Sequence, residues 1–324
     1  MRTAIVLGAI GQDGTYLSEF LLLKGYTVYG LYSPRSSLSI NQLFPEALTN
    51  NSRFIPKPAS VTNFLYIREQ IFEIIPNEIY YLASNHELDF TWPNFQKSRE
   101  VNLDGLANVL DTITSLKNDC RLFYASSSNI FLGSESTLQD EDTDHAPASL
   151  YGFFKSSAMA LLKMYREQFG VFACAGILYN HESPRRNEYY VSQKIIKSAV
   201  KILRYGGPEL RIGNINATRD WGYAADYVEA MWLMLQNHKP VDYIIGSGKL
   251  RSVEWFLDYV FSRLNLKWRN HVVLEEALVR KVDSARLLAN PQKIKDELGW
   301  VAKTPFEDVI KIMLEKELSD SLNH

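Results

Sequence analysis

The chain has 324 residues, 46% of them apolar and 22% charged, which is the composition of an ordinary globular protein and excludes collagen-like, coiled-coil and disordered classes. Lys and Arg total 35 against 37 Asp and Glu, so the net charge is −2, without the basic excess that nucleic-acid-binding proteins usually show. This length predicts two domains, or one large α/β unit with an elaborated C-terminal part.

The sequence shows no sign of several special classes of protein. Cys120 and Cys174 cannot make a disulfide framework, and the six histidines have no ligand-like spacing. No apolar run approaches the roughly 18 residues of a membrane span, and the run at 4–10 is not followed by a signal-peptide cleavage site. We therefore expect a soluble, cytoplasmic protein with no metal, no nucleic-acid partner and no membrane contact.

The first half of the chain alternates short apolar runs with longer amphipathic stretches. The apolar runs predict buried parallel strands at 4–7, 27–32, 53–55, 78–82, 122–125 and 171–178. Helical patterns lie between them at 15–23, 62–75 and 92–116. Strands alternating with helices indicate right-handed βαβ units, so we predict an α/β fold with a doubly wound parallel (Rossmann) sheet.

After about residue 180 the pattern becomes mixed. Helices are predicted at 191–203, 225–236 and 252–264, with two more near the C terminus and a short strand near 210–212. This region has no second glycine-rich loop. We predict a dinucleotide-binding domain over residues 1–180 and a smaller mixed α/β substrate domain over 181–324, from which some segments return to the first sheet.

The first predicted strand runs directly into a glycine-rich loop, Gly8-Ala-Ile-Gly11-Gln-Asp-Gly14, and then into a helix. In a dinucleotide site Gly8 would permit the tight turn, Gly11 the approach of backbone N–H groups to the pyrophosphate, and Gly14 close helix–strand packing. The phosphates would lie at the positive end of the helix. A plain turn is the alternative, but the βα context favours dinucleotide binding.

The end of the second predicted strand indicates the cofactor type. An acidic residue there would hold the ribose 2′-hydroxyl of NAD, but the stretch 29–37 contains none. It offers Ser33, Arg35 and Ser36, which are groups that can hold a 2′-phosphate. NADP is therefore favoured and NAD stays possible, since Arg35 could equally be a solvated loop cation.

Tyr151 and Lys155 open a further predicted helix and follow Ser127, which ends a predicted strand. Residues at i and i+4 share a helix face, so the phenol and the ammonium point the same way. A nearby cation favours the phenolate and should lower the pKa of Tyr151. The phenolate could then take a proton from a substrate hydroxyl while hydride leaves to a nicotinamide, with Ser127 bound to the same oxygen.

These three features together resemble the extended branch of the short-chain dehydrogenase/reductase superfamily. Longer strings resemble the GDP-mannose 4,6-dehydratase family, in that family's order and over almost the whole chain. They are residues 11–17, Val101-Asn-Leu-Asp-Gly105, residues 176–186, residues 213–222 with Asp226-Tyr227, and Leu298-Gly-Trp300. The resemblance implies an enzyme that oxidises C4 of a bound GDP-hexose, eliminates water across C5 and C6, and returns the hydride to C6.

The resemblance also implies roles for individual residues. Tyr151 would be the base at O4, Lys155 its pKa partner and a ribose contact, and Ser127 a hydrogen-bond donor to O4. Further cofactor contacts would come from Gln12, Asp13, Ser60, Val61, Leu82, Ala83, His181 and Arg186. Substrate contacts would come from Glu87, Ser128, Asn180, Glu188, Lys194, Arg219 and Arg280. The family typically forms homodimers or homotetramers, here through the helices at 92–116 and 150–169.

One departure from the family pattern bears on the chemistry. The family has a glutamate that takes the C5 proton and assists loss of the C6 hydroxyl, and this chain has Asn129 at that position. A carboxamide can neither accept nor donate a proton in that step. Glu87, which follows His86, and Glu135 are candidate replacements, although either could be a solvated loop acid.

Three functions therefore stay open at the level of sequence. The first is a nucleotide-sugar 4,6-dehydratase that uses another acid, and the second is a C4 epimerase or 4-dehydrogenase/reductase without dehydration, which Asn129 favours. The third is a non-catalytic NADP-binding protein, which the intact Tyr151 and Lys155 disfavour. The whole-chain resemblance makes the dehydratase the leading hypothesis.

Overall fold

The computed structural model describes residues 2–34, 38–116, 118–207, 209–279 and 286–321. The strands are β1 (Thr3–Leu7), β2 (Thr27–Tyr32), β3 (Phe54–Pro58), β4 (Glu78–Tyr81), β5 (Arg121–Ser127), β6 (Ala173–Leu178), β7 (Asn180–Glu182), β8 (Leu210–Ile212), β9 (Thr218–Tyr223), β10 (Tyr243–Ile245), β11 (Leu250–Ser252) and β12 (Val272–Leu274). The α-helices are α1 (Gln12–Leu23), α2 (Ile40–Leu43), α3 (Glu46–Thr49), α4 (Phe64–Ile74), α5 (Trp92–Arg99), α6 (Gly105–Thr114), α7 (Leu150–Phe169), α8 (Val191–Tyr205), α9 (Ala224–Gln236), α10 (Val253–Arg263), α11 (Gln292–Leu298) and α12 (Phe306–Asp320). Within the described ranges, no helix has the length and apolar character needed to cross a membrane.

The main sheet has seven parallel strands in the order β3-β2-β1-β4-β5-β6-β10. Its central strands are buried, as strands covered by helices on both faces must be. The order reverses between β1 and β4, and in such sheets ligands bind in the crevice at the carboxyl ends of the strands beside this point. The predicted α/β fold with a doubly wound parallel sheet is confirmed.

The C-terminal part of the chain contributes to this sheet as well as to a smaller layer. β10 pairs with β6, and α9 covers the sheet face through buried residues such as Tyr227 and Met231. A three-stranded sheet, β11-β9-β7, and the pair β12-β8 pack with α8, α10 and α12 around a separate apolar cluster. The division into a domain at 1–180 and one at 181–324 stays a prediction.

Several predicted boundaries differ from the observed ones. α1 begins at Gln12 rather than at 15, because Gly11, whose backbone is extended, is the N-cap residue of the helix. The strand expected at 171–178 begins at Ala173, and the strand expected at 53–55 extends to Pro58. The helix expected over 92–116 is divided by a π-helical turn, Glu100–Asp104, between α5 and α6.

The π-helical turn is followed by a residue that packs closely against neighbouring elements. A Cβ on Gly105 would lie 2.5 Å from the Tyr81 hydroxyl oxygen and 3.1 Å from the carbonyl oxygen of Val61. The turn places the side chain of Asn102, which is fully buried, against the loop that follows β4. Such turns within α-helices occur frequently at functional sites.

Candidate active site

The glycine-rich loop joins β1 to α1 at the carboxyl edge of the sheet. Gly8 has a φ of +92°, and a Cβ there would lie 2.8 Å from the backbone nitrogen of Ala83. A Cβ on Gly14 would collide with the carbonyl oxygen of Gly8, so α1 packs against the loop only because residue 14 lacks a side chain. The loop therefore leaves a cradle that is free of side chains beside the first turn of α1, where backbone N–H groups lack partners within the helix.

Gln12 and Asp13 connect this loop to β7. The Gln12 amide donates to the carbonyl oxygen of His181 at 3.0 Å and accepts from the Ser183 hydroxyl at 2.7 Å. Nε2 of His181 lies 2.9 and 3.0 Å from the two carboxylate oxygens of Asp13. These bonds hold the glycine-rich loop against the segment with which the C-terminal region begins.

Both ring nitrogens of His181 carry a proton in this arrangement. Nδ1 lies 2.7 Å from the carbonyl oxygen of Tyr179, which can only accept, and Nε2 faces the Asp13 carboxylate. Burial would raise the pKa of Asp13, but His181 and Arg186 lower it to about 2. Burial would lower the pKa of His181, but Asp13 raises it above its ordinary value. The two side chains form a charged pair.

Ser127, Tyr151 and Lys155 meet where β5 ends and α7 begins. The Lys155 ammonium is 1% exposed, donates to the Ala125 carbonyl at 2.7 Å and lies 5.5 Å from the centre of the Tyr151 ring. The Ser127 and Ser84 hydroxyls lie close enough to the Tyr151 side chain to act on its pKa. The structure thus brings together the three residues that sequence reasoning placed in the catalytic group.

The pKa values of this group differ from the sequence-based expectation. Burial, with a smaller contribution from Tyr190, raises the pKa of Tyr151 above its usual range, and the interactions with Ser127 and Ser84 act in the opposite direction. Burial lowers the pKa of Lys155 to about 7. The expected lowering of the Tyr151 pKa is therefore not found, because burial disfavours the charged form of both side chains.

Asn129 lies beside Ser127 and is bonded to it. Its side-chain amide nitrogen donates to the Ser127 oxygen at 3.1 Å, and its backbone nitrogen donates to the same oxygen at 3.3 Å. A hydroxyl oxygen has two acceptor positions, so both are occupied. The hydroxyl proton of Ser127 is then directed toward Tyr151 or a bound oxygen.

Sequence reasoning missed the residues that hold the loop after β4 against Tyr151. The Asn102 carboxamide accepts from the Ser84 hydroxyl at 2.9 Å and from the Asn85 backbone at 3.0 Å, and it donates to the Asn85 carbonyl at 3.0 Å. The ring of His86 lies 4.9 Å from that of Tyr151, centre to centre. A buried polar residue inside an otherwise helical pattern was the available signal for Asn102.

The other residues predicted to contact a cofactor lie near the same edge. Ser33 follows β2, Ser60 and Val61 follow β3, and Leu82 and Ala83 follow β4. Arg35 and Ser36 lie outside the described residues. The Arg186 guanidinium lies 3.5 Å from the centre of the Tyr190 ring and 3.2 Å from the Glu182 carboxylate, so it is a fixed cation close to Tyr151.

Three of the predicted substrate residues lie along β7, α8 and β9. Asn180 pairs with Trp221 across the small sheet. The Lys194 ammonium donates to the Arg211 carbonyl at 2.7 Å, and the Arg219 guanidinium donates to the Thr218 carbonyl at 2.8 Å. Both cations, which lie on α8 and β9 after β7 in the chain, are thus fixed by backbone carbonyls.

The remaining predicted substrate residues are more scattered. Ser128 is 2% exposed, whereas Glu188 lies at the surface, 2.9 Å from Lys197. The Glu87 carboxylate lies 3.7 Å from the Lys97 ammonium of α5, and Glu135 is exposed. Arg280 lies outside the described residues. Within the described part of the chain, no three His, Cys, Asp or Glu side chains are placed to hold a metal ion.

The residues present fit a nicotinamide dinucleotide. The cradle beside Gly8 would be filled by any Cβ, and it lies at the start of α1, where a pyrophosphate is favoured. Tyr151 and Lys155 lie at the carboxyl end of the neighbouring strands, within the crevice where such folds bind ligands.

Comparison with known proteins gives a consistent family. The sequence model of the family described as GDP-mannose 4,6 dehydratase matches residues 5–313. The "GDP-mannose 4,6 dehydratase 2" of Arabidopsis thaliana is 37% identical over 325 residues, covering 98% of this chain and 87% of that protein. The human "GDP-mannose 4,6 dehydratase" is 32% identical, with 98% and 91% covered, and the Vibrio cholerae protein of that name is 30% identical, with 100% and 95% covered.

Solved structures of lower identity share the fold. A UDP-glucose 4-epimerase from Thermotoga maritima, solved with UDP-glucose, superposes with a TM-score of 0.85 at 19% identity, covering 99% of this chain and 100% of that one. A dTDP-glucose 4,6-dehydratase from Bacillus anthracis, solved in complex with NAD, gives a TM-score of 0.85 at 17% identity, with 99% and 98% covered. At these identities the likeness shows the fold alone.

Proposed function

The chain belongs to the GDP-mannose 4,6-dehydratase family, and from this premise we infer that it is an enzyme that oxidises C4 of a nucleotide sugar. We propose a GDP-hexose as the substrate and loss of water from C5 and C6 as the outcome. The observation that carries the proposal is the grouping of Ser127, Tyr151 and Lys155 beside the glycine-rich loop.

The side chains of this group divide the first half of the reaction between them. In its phenolate form Tyr151 takes the proton of the C4 hydroxyl as the hydride leaves C4, and Ser127 donates its hydroxyl proton to the same oxygen. Asn129 sets the direction of that proton through its two bonds to the Ser127 oxygen. The side-chain nitrogen of Lys155 donates a hydrogen bond to the Ala125 carbonyl, which fixes this N–H donor group beside Tyr151.

A bound nicotinamide would supply the acceptor of the C4 hydride and the donor of a hydride to C6. We propose that Gly8, Gly11, Gly14 and the first turn of α1 hold its pyrophosphate, with Asp13 and His181 fixing the loop.

NADP is the proposed form of the cofactor, since no acidic residue follows β2 and Arg35 is available for a 2′-phosphate. Replacing Arg35 with alanine should weaken NADP binding and leave NAD binding unchanged by calorimetry, and equal or tighter NAD binding by the parent would contradict the NADP assignment.

The diphosphate of the substrate has candidate partners on the smaller layer. We propose that Asn180, Lys194 and Arg219 line this part of the site, because Lys and Arg neutralise phosphate charge and arginine can do so with two parallel bonds. β7 is held to the glycine-rich loop through the Gln12 and Asp13 bonds, and β9 pairs with β7.

A second candidate function is favoured by one residue. Asn129 leaves the expected elimination without its carboxylate, so a C4 epimerase or 4-dehydrogenase/reductase would use the same Ser127, Tyr151 and Lys155 and stop before dehydration. The fold of the UDP-glucose 4-epimerase neighbour accommodates this alternative.

Incubation with GDP-mannose and NADP, followed by mass spectrometry of the sugar nucleotide, separates the two candidates. We expect the product to lose the mass of one water. An unchanged mass with transient reduction of the cofactor supports the alternative, and no cofactor reduction at all contradicts C4 oxidation of this substrate.

A further inference from the structure

The elimination step needs a group that accepts the C5 proton and returns a proton to the departing C6 hydroxyl. The Asn129 carboxamide cannot do this, and its amide nitrogen is already engaged by Ser127. If the proposed dehydration takes place, another ionisable side chain beside the sugar must therefore act.

His86 is the ionisable side chain that the structure places for this task. Its ring lies 4.9 Å from the Tyr151 ring, centre to centre, on the loop that also carries Ser84. Its ring nitrogens make no hydrogen bond to any other described residue, and the residue is exposed. C5 and C6 adjoin the carbon whose oxygen contacts Tyr151, so a group next to Tyr151 can reach their protons.

The surroundings of His86 favour its neutral form, which can accept a proton, and they make its imidazolium a strong acid toward a departing hydroxyl. The protein around the ring, followed by the cations Lys155 of α7 and Arg186 of the segment after β7, lowers the pKa of His86, and Asp13 of α1 opposes this shift. The imidazole is therefore neutral near pH 7 and has a free lone pair.

The two carboxylates considered from the sequence are less well placed. The Glu87 carboxylate lies 3.7 Å from Lys97 on α5, and Glu135 is exposed beyond the 3₁₀ turn at Ser128–Phe131. Neither has a described contact with Tyr151, Ser127 or Lys155.

We propose that His86 is the acid and base of the elimination, an inference that rests on the proposed dehydratase function. After C4 oxidation, a neutral His86 nitrogen takes the C5 proton, and the C5–H electron pair becomes the enolate of the C4 ketone. The resulting imidazolium gives its proton to the C6 hydroxyl as the C6–O bond breaks, and water leaves. The product is the 4-keto-5,6-ene, and His86 is neutral again.

The test uses the enzyme loaded with NADP and GDP-mannose labelled with deuterium at C5. Three measurements are made: cofactor reduction on mixing, loss of deuterium to solvent, and loss of water by mass. His86→Gln removes the basic nitrogen, and His238→Gln, at an exposed position after α9, is the matched control. The double variant His86→Gln/Asn129→Glu restores the family carboxylate.

We expect the parent and His238→Gln to exchange C5 deuterium and lose water. His86→Gln should still reduce cofactor but exchange deuterium about 10²–10⁴ times more slowly, which is the range of general acid–base catalysis. The double variant should recover both exchange and water loss, which repair of a merely structural defect would not produce.

Two results overturn the inference, and they differ from failure of the proposed function. If His86→Gln loses C5 deuterium at the parent rate while the parent loses water, the role of His86 is refuted and the dehydratase function stands. Loss of cofactor reduction in His86→Gln with no recovery in the double variant also refutes this role. If the parent reduces cofactor but retains deuterium and loses no water, the dehydratase function fails, and the role of His86 fails with it.

Discussion

Tyr151 is the residue at which the proposed chemistry can be tested most directly. Tyr151→Phe removes the ionisable oxygen and keeps the ring that packs against His86. Hydride transfer should fall by roughly 10²–10⁴, as expected for loss of a general base, while cofactor affinity barely changes. Stopped-flow absorbance of the reduced cofactor and equilibrium titration provide the two measurements. Cofactor reduction at the parent rate would show that this tyrosine is not the base.

Gly8 and Gly25 form a matched pair of positions at which the cost of adding a side chain, in unfolding free energy, can be compared. Gly8 and Gly25 have φ values of +92° and +86°, but a Cβ at Gly8 would lie 2.8 Å from the Ala83 nitrogen, whereas at Gly25 the nearest atom is 4.0 Å away. Alanine at Gly25 should cost about 1–2 kcal/mol of unfolding free energy from the left-handed backbone alone. Gly8→Ala should cost more and also weaken cofactor binding. Equal costs in urea unfolding would contradict the close approach.

The same residue scale shows why part of the site was predictable. Gly8, Tyr151 and Lys155 carry a local signal, since a turn before a helix or an i, i+4 pair can be read from spacing alone. The pKa direction of Tyr151 could not be read this way, because burial depends on what the rest of the chain packs around the phenol. For His86 the sequence indicated only a position after the fourth strand, at the carboxyl edge of the sheet, and its relevance comes from a contact with a residue on another element.

Among the elements, the joint between the glycine-rich loop and β7 should be an important source of stability. Asp13 and His181 form a charged pair there, and loss of one partner leaves the other buried and unpaired. Asp13→Asn or His181→Gln alone should lower the unfolding free energy by about 3–5 kcal/mol. The double variant should lose less than the sum of the two, because neither charge is then left alone. Additive losses in urea unfolding would show that the two side chains are not coupled.

The pH dependence of this joint follows from the two pKa shifts. The pKa of Asp13 is lowered from 3.8 to about 2, so its contribution is complete above pH 3.8 and is lost as the pH falls toward 2. The pKa of His181 is raised above 6.5, so its contribution is complete below pH 6.5 and is lost as the pH rises through the raised value. The stability difference between the parent and the double variant should therefore be largest between pH 3.8 and 6.5, and a difference that grew above that window would contradict the assignment.

The helices and strands themselves were largely predictable, and the exceptions have physical causes. The expected helix over 92–116 has the right period, but its periodicity cannot reveal a π-helical turn that brings Asn102 to the loop after β4. Boundaries at α1 and β6 shifted because loop backbone and neighbouring strands, rather than local composition, decide where pairing begins.

For the whole molecule, exposed aromatic side chains on neighbouring helices suggest self-association. Phe90 and Trp92 are 72% and 62% exposed near the start of α5, and Phe153 on α7 is 47% exposed. They adjoin Phe95, which packs on Trp92 and on the first turn of α7. Apolar patches of this kind commonly mark protein interfaces, and we propose that this one joins two copies of the chain.

Charge placed on this patch should separate the copies. Trp92→Asp with Phe153→Asp should lower the mass measured by sedimentation to that of one chain, whereas Leu23→Asp, at an 87% exposed position on α1, should leave it unchanged. An unchanged mass in the first variant, from a parent that associates, would place the interface elsewhere.

The edge position of β10 limits how parts of this molecule can be exchanged with those of its relatives. β10 completes the main sheet beside β6, and α9 fills the face of that sheet, although both come after the first segments of the smaller layer. A chimera that changes parent once, near residue 180, would join one protein's sheet to another protein's edge strand and leave their side chains mismatched. Transfer of specificity between relatives should therefore succeed with separate grafts of residues 183–223 and 250–279, and fail with a single C-terminal cassette.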